Sequence, residues 1–303
     1  MQFLAAYIMK GRLQAMTVAA ALALLSLAFP PVSIVSSASV ALVTLRRGGK
    51  EGLYVLLCGC LAAAVLSVFL KIGYQFALLY GLVLWMPVWL ISIVLREGKH
   101  LGVAIEIAVL LGIAAVLGFY IYQPQPAQLW GGVLATMMQP MLEAKPEVPV
   151  EQIKQTAQVF AHFMTGAIAA GSVYGLLFGL FLARWWQSAL YNPGGFKAEF
   201  LALKGHKQLA IATMILVAVA GLSSGVVAEI SWNMLLVLFV LYTFIGTAVL
   251  HACFAQMKSR RFMVPFLYLT LVLIPHVMVI IAICGLTDSW LNLRNKFSNK
   301  TAD

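Results

Sequence analysis

Long apolar runs separated by short polar stretches dominate the chain. Nine runs stand out, at 13–29, 32–45, 53–70, 74–95, 101–121, 160–183, 209–228, 231–255 and 262–284. Most are about 20 residues long, the length a helix needs to cross a hydrocarbon layer about 30 Å thick. Only helices and closed barrels satisfy their backbone polar groups in such a layer. The pattern therefore predicts an all-α fold, a polytopic integral membrane helical bundle of about 8–9 transmembrane helices. The second run is short, about 21 Å as a helix. Pro30 and Pro31 break the chain before it, and it holds Ser33, Ser36, Ser37 and Ser39. It reads either as a tilted short helix or as half of a re-entrant hairpin, and in both cases residues 13–45 enter and leave on one side. Lys10 and Arg12 ahead of the first run look like the start of a signal peptide. No small-x-small cleavage site precedes the later spans, so an uncleaved first helix is expected.

Basic residues fall between the runs on alternate sides. With Arg46, Arg47 and Lys50 in the cytoplasm, 14 of the 20 basic residues are cytoplasmic, from Lys10 and Arg12 through Arg96, Lys99, Arg184, Lys204 and Lys207 to Arg261. Lys71, Lys145 and Lys154 lie outside. This is the positive-inside pattern, and it puts the N-terminus in the cytoplasm. The tail residues Arg294, Lys296 and Lys300 fall outside on a nine-span count and break the rule.

The pattern divides the chain into N-terminal membrane helices (1–121), an extracytoplasmic loop (122–159), C-terminal membrane helices (160–285) and an amphipathic tail (286–303). In the loop, residues 127–142 are apolar but too short to span, and predict an interfacial helix. Pro149 suits a first helical position, so the sixth span starts outside the bilayer. LRRGGKEGL at 45–53 and LREGKHLGV at 95–103 share L-R-x-G-x-x-x-G, 50 residues apart, and suggest a parallel helix-pair repeat. Ala167, Gly171, Gly175, Gly179 and Ala183 form a small-residue ridge for close helix packing. Ala15, Ala19 and Ala23 form a shorter one.

Composition agrees. The 303 residues are 62% hydrophobic and 10% charged, with a mean hydropathy of +0.95, whereas soluble domains hold roughly 45–50% apolar residues. The net charge of +10 sits in inter-helix clusters, which excludes nucleic acid as a partner and leaves the lipid bilayer. Cys58 and Cys60 point to different sides of a helix and cannot share a metal; no metal or cofactor is expected. HExxH and Walker A motifs are absent, and with 10 acidic residues the chain offers few acid–base carriers, so it does not read as an enzyme.

Ionisable residues at membrane depth are costly and so are functional candidates. His162, Glu229, Trp232, Asn233 and His276 fall in the outer half and predict an outward-facing ligand pocket; Glu106 and His251 lie nearer the cytoplasm. The segment RWWQSALYNPGGFKAEF predicts a membrane-surface anchor. Trp185 and Trp186 end the sixth span, and Arg184 reaches to phosphates. Asn192, Pro193, Gly194 and Gly195 make a turn, and Phe196, Phe200 and Leu203 share one face of an interfacial helix. In the tail, Trp290, Leu293 and Phe297 share a face, with Asp288 placed as the helix N-cap and Arg294 beside them.

RWWQSALYNPGGFKAEF, LVTLRRGGKEGL and GLTDSWLNLRNK together resemble the YybS-like predicted membrane proteins of bacteria, a family with a domain of unknown function. The resemblance covers nearly the whole chain and implies a bacterial inner-membrane location, with no activity to carry over. More distantly, the N-terminal part is similar to the substrate-capture components of energy-coupling-factor vitamin transporters. Those six-helix proteins bind a small molecule from outside and dock a coupling subunit through small residues on the first helix, which Ala15, Ala19 and Ala23 match. The three further spans depart from that pattern. The leading expectation is a transporter-type protein that binds a small molecule and works with partner subunits or as a homo-oligomer. The alternative is a non-transporting scaffold or assembly factor docking partners at 184–207 and 286–297.

Overall fold

The structure, a computed structural model, describes residues 2–143, 149–257 and 259–294, with side-chain surroundings for all of these except Met141, Leu142 and Arg260. Every regular element in them is helical. In chain order they are α1 (Gln2–Ile8), α2 (Arg12–Leu25), α3 (Val32–Arg47), α4 (Gly49–Phe69), α5 (Gln75–Tyr80), a π-helical turn (Gly81–Trp85), α6 (Met86–Gly98), α7 (Leu101–Tyr122), α8 (Pro126–Glu143) and α9 (Val150–Ala161). They continue with α10 (Met164–Tyr191), α11 (Gly195–Leu201), α12 (Lys207–Leu222), α13 (Gly225–Ala255), α14 (Arg260–Leu273) and α15 (Val277–Leu291).

Five segments are long and apolar enough to cross a membrane: α4, α5 through α6, α7, α10 and α13. Large side chains such as Leu61, Phe69, Ile121, Ile215 and Val272 stay exposed around the bundle. Water would penalise that surface and lipid does not. The chain is therefore an all-helical membrane-type bundle. The other four apolar runs fold as the shorter α2, α3, α12 and the pair α14–α15. α8 covers the expected interfacial segment. Pro149 is the N-cap of α9 rather than its first helical residue.

The short helices form two hairpins that open at the same end of the bundle. Arg12, starting α2, donates from Nε to Glu51 at 2.7 Å, and Arg47, ending α3, donates to the Met9 carbonyl. Arg96 donates to the Leu45 carbonyl at 2.8 Å, so this is the basic end. α13 also ends here, with His251 against Phe200 of α11. α14 starts after it, and α15 returns to the same end, where Arg294 donates to the carbonyls of Leu201 and Leu203 and Lys204 donates to Asn292 Oδ1 at 2.8 Å. The expected ninth span is thus broken at Ile274–Pro275–His276, because Pro275 offers no N–H to continue the ladder. This corrects the placing of the tail: Arg294 joins the basic end and no longer breaks the charge pattern.

The first hairpin stops part-way up the bundle. Ser37 lies against Gly179 and Gln187 donates to the Leu45 carbonyl at 3.3 Å, so α3 runs parallel to α10. Val32 then comes level with roughly residue 174, and about 15 Å of α10 rises beyond the hairpin tip. The small-residue ridge is used accordingly. Gly179 and Ala183 are buried against the hairpin, whereas Ala167 and Gly171 are exposed, and neither Gly171 nor Gly175 has an atom within 4 Å of where a Cβ would sit. The expected five-residue contact is therefore only half made, because its partner helix is too short. Ala15, Ala19 and Ala23 are completely buried inside the hairpin, where Ser36 donates to the Ala19 carbonyl at 2.7 Å. They pack this chain against itself and present no face for another subunit.

The turns flanking the two L-R-x-G stretches both use left-handed backbone, Gly48 at φ 106° and Lys99 at φ 55°. Pro87 has no N–H for the carbonyl four residues back, and the helix absorbs the mismatch in the π turn before it. That turn aims Trp85 inward. The ring is fully buried, donates to Ser36 Oγ at 3.1 Å and fits because position 59 is glycine.

α13 and α15 meet backbone to backbone. A Cβ on Gly246 would collide with the Ile281 carbonyl, and one on Gly285 with the Tyr242 carbonyl. Gly246→Ala and Gly285→Ala are each expected to destabilise the protein by about 3 kcal/mol, since neither backbone can give way. Gly171→Ala should change stability by less than about 0.5 kcal/mol. Thermal melting in detergent compares the three.

Candidate functional site

Two polar clusters lie at opposite ends of the antiparallel pair α7 and α13. At the end away from the basic residues, Glu229 stands in the second turn of α13 with only 16% of its side chain exposed. His162, between α9 and α10, places Nδ1 2.6 Å from Glu229 Oε2. Tyr120 donates to Glu229 Oε1 at 2.7 Å. Asn233, one turn on and fully buried, donates to the Glu229 carbonyl at 2.8 Å, the His162 carbonyl at 2.7 Å and Tyr120 Oη at 3.1 Å. Its Oδ1 accepts the Gly166 N–H. That N–H is in the first turn of α10 and has no partner in its own helix. The backbones approach so closely that a Cβ on Gly166 would strike Asn233.

His162, Glu229 and Asn233 of the expected pocket are thus assembled, but as a knot whose groups satisfy one another. Two other expected members lie elsewhere. Trp232 is 43% exposed, because the residue beside Asn233 on a helix points away from it. His276 sits exposed at the α14–α15 break, as the N-cap of a helix that packs against α12, α13 and α14. Tyr120 was missed: a tyrosine at the end of an apolar run reads as an interfacial residue.

At the basic end, Glu106 of α7 is 13% exposed. Its Oε2 lies 2.6 Å from His206 Nδ1, and its Oε1 accepts the His206 N–H at 3.0 Å. His206 is the N-cap residue of α12 and is 61% exposed. Nearby, Tyr242 Oη and Thr213 Oγ1 are 2.9 Å apart. No local pattern links Glu106 to His206, 100 residues away, and only the fold pairs them.

The segment from Arg184 departs from its expected role as a membrane anchor. α10 continues through Trp185 and Trp186 to Tyr191. Trp186 is completely buried and Trp185 is 40% exposed. Arg184 forms a two-pronged ion pair with Glu199 and donates to Gln187 at 2.8 Å, so it is neutralised within the protein. Asn192, Pro193, Gly194 (φ 87°) and Gly195 do form the turn. Ser188 closes it, donating to the Asn192 carbonyl at 2.7 Å and accepting the Phe196 N–H at 3.1 Å. Phe196 packs tilted and Phe200 edge-on against Phe181 and Leu203 is buried, so the apolar face of α11 packs on the bundle rather than on lipid. Asp288 is also corrected. It lies in the last turn of α15, nearly fully buried, and accepts the Leu293 N–H at 2.8 Å, because no new helix starts there. Arg294 approaches it at 3.5 Å; burial lowers the pKa of this guanidinium, and Asp288 opposes the shift. Trp290 is 40% exposed. Phe297, Lys296 and Lys300 lie outside the described residues.

No family model, curated protein or solved structure matches the chain. The likeness to the YybS-like family rests on its three segments alone, so the cavities carry the functional question.

Two clefts of about 270 and 340 Å³ adjoin at the basic end, sharing Lys99 and Glu199. A larger one of about 590 Å³ lies farther from that end, between α5–α6, α7 and α10. α6 packs against α7 and α10, whereas α5 packs against α4, and the groove opens where these helices part. Its walls are apolar apart from Trp130, Thr165 and Ser172. Trp130 of α8 stacks on Phe119 and donates to Thr165 Oγ1 at 2.8 Å. Among the described residues, no three His, Cys, Asp or Glu side chains are grouped to hold a metal ion.

Asn233→Ala should cost about 3 kcal/mol, because it strands the buried Gly166 N–H and the His162 carbonyl. Trp232→Ala should cost less than about 1 kcal/mol. Melting temperatures of the two variants test the difference.

Proposed function

We propose that this is a transporter-type protein of the bacterial inner membrane that takes an apolar or amphipathic small molecule from the lipid phase into the groove between α5–α6, α7 and α10. The groove carries this reading. Its volume of about 590 Å³ lies in the range of small-molecule sites, roughly 300–1,000 Å³. Apolar walls with a few polar groups are the usual composition of such sites. Trp130, Thr165 and Ser172 would orient a ligand's polar end. None of them is a general base, so the groove suits binding and passage rather than catalysis. One wall includes Leu82 and Val83 of the π turn, a break of the kind often found at functional sites.

The charge pattern supports an orientation with the basic end in the cytoplasm, which makes the groove outward-facing. Six passages between the two ends, α4, α5–α6, α7, α10, α12 and α13, with two re-entrant hairpins entering from the cytoplasm, replace the nine-span count. The ligand site then lies beside the knot of His162, Glu229 and Asn233 rather than within it: Thr165, on the groove wall, directly precedes Gly166.

Trp130 reports occupancy. In nanodiscs containing lipids brominated on the acyl chain, the fluorescence quenching lost in Trp130→Phe isolates its signal. Ala115→Phe and Ala169→Phe, which fill the groove, should cut that share by about half or more while leaving the melting temperature within a few degrees. Unchanged quenching in both would refute the groove as a binding site.

A further inference from the structure

We infer that Glu229 and Glu106 are proton-binding sites served from opposite faces of the membrane, each through its own histidine. Within the transport reading these are the coupling sites, and the inference rests on that reading for their use. Their protonation is measurable whatever the groove binds.

The two sites mirror each other. Glu106 is the sixth residue of α7 and Glu229 the fifth of α13. Tyr120 follows Glu106 by 14 positions and Tyr242 follows Glu229 by 13. Because α7 and α13 are antiparallel, crossing where Gly112 meets Val237, each tyrosine reaches the level of the other helix's acid. Tyr120 bonds Glu229 directly, whereas Tyr242 pairs with Thr213 of α12 at 2.9 Å. Each acid is met by a histidine just ahead of a neighbouring helix, His162 before α10 and His206 before α12, with Nδ1 at 2.6 Å in both.

A purely structural tie needs none of this. Asn233 already fastens α10 to α13 without charge. The two carboxylates are largely shielded by protein, yet each is capped by a histidine more than half exposed. Among the described residues, Nε2 of neither histidine has a hydrogen-bond partner in the protein, and the two side chains are 56% and 61% exposed to solvent. A proton arriving from water binds Nε2. The proton on Nδ1 passes to Glu Oε2, leaving a neutral imidazole protonated on Nε2 and a neutral carboxylic acid.

Tyr120 and Asn233 are the polar groups facing the outer pair, with Lys154 and Glu151 exposed farther out on α9 and Trp130 contributed by α8. Around the inner pair stand Lys99, His100, Lys204 and Glu199 on the cleft, Lys207 at the start of α12 and Tyr242 of α13, with Asp288 in the last turn of α15 and Arg294 after it at the same end. Between the pairs, Val109, Val173, Val237 and Leu241 are buried and apolar. Asn233 and Tyr242 are nine residues apart, about 13 Å of helix. The sites are thus insulated from one another, and each exchanges protons with its own side.

Infrared difference spectra on acidification of the full chain in nanodiscs test this. Comparison with Glu229→Gln and Glu106→Gln subtracts the other eight of the ten acidic residues. Each variant should lose one carboxylic-acid band, and the double variant both. In proteoliposomes of one orientation with a buffered interior, acidifying the outer face should raise the Glu229 band alone. His162→Gln keeps a hydrogen bond to Glu229 but cannot relay, and should slow its protonation by about tenfold or more with little change in melting temperature. An unaltered spectrum in the double variant, both bands answering to one face, or an unaltered rate in His162→Gln would each overturn the inference. If Glu229→Gln fails to fold, His162→Gln carries the outer-site test. Loss of the Trp130 groove signal with the bands intact would sink the transport reading alone.

Discussion

α13 is the hub of this bundle, and at contact after contact its neighbour arrives without a side chain. Gly112 of α7 lies against Val237, Gly166 of α10 against the Asn233 backbone, Gly205 ahead of α12 against Ile245, and Gly285 of α15 against Tyr242. Lipid supplies no hydrophobic drive between helices, so close packing and buried hydrogen bonds must hold them together. Glycine at the crossing lets backbones meet at van der Waals distance. The rest follows from that closeness. α7 and α10 are near enough for Tyr120, Asn233 and the Gly166 N–H to bond, and α12 is near enough for His206 to reach Glu106.

The two hairpins give the bundle its asymmetry. Both open at the basic end, and the first ends well short of the top of α10. The basic end is therefore crowded and laced with ion pairs such as Arg12–Glu51 and Arg184–Glu199. Farther up, α5 parts from α7, leaving the apolar groove, while Ala167 and Gly171 of α10 stay bare on another face.

Legibility in the sequence followed the range of the forces involved. Helix positions depend on local hydropathy and breakers, and α4, α7, α10 and α13 overlap the runs read from it. The Asn192–Gly195 turn was also legible, because turn chemistry is local. Fates of side chains at helix ends were not. Trp186 and Arg184 carry the composition of a headgroup belt, yet one is buried and the other paired with Glu199, since α10 runs on past them and α11 folds back. Asp288 looks like an N-cap only if a helix begins there. Of the polar set, His162, Glu229 and Asn233 converge because α10 and α13 pack side by side, while His276 sits at a break that the hydropathy profile passes over.

By itself the sequence determined that this chain is a bundle of apolar helices, where most of them lie and which end carries the positive charge, because these depend on hydropathy, proline and glycine counted along the chain. The tertiary structure alone decided that the ninth run folds back on itself at Pro275, that the alanine ridge of α2 is spent internally, and that two largely shielded acids 123 positions apart each meet an exposed histidine at opposite ends of α7 and α13. Those outcomes depend on which helices touch and at what depth, and the spacing of residues along a single strand of sequence holds no record of either.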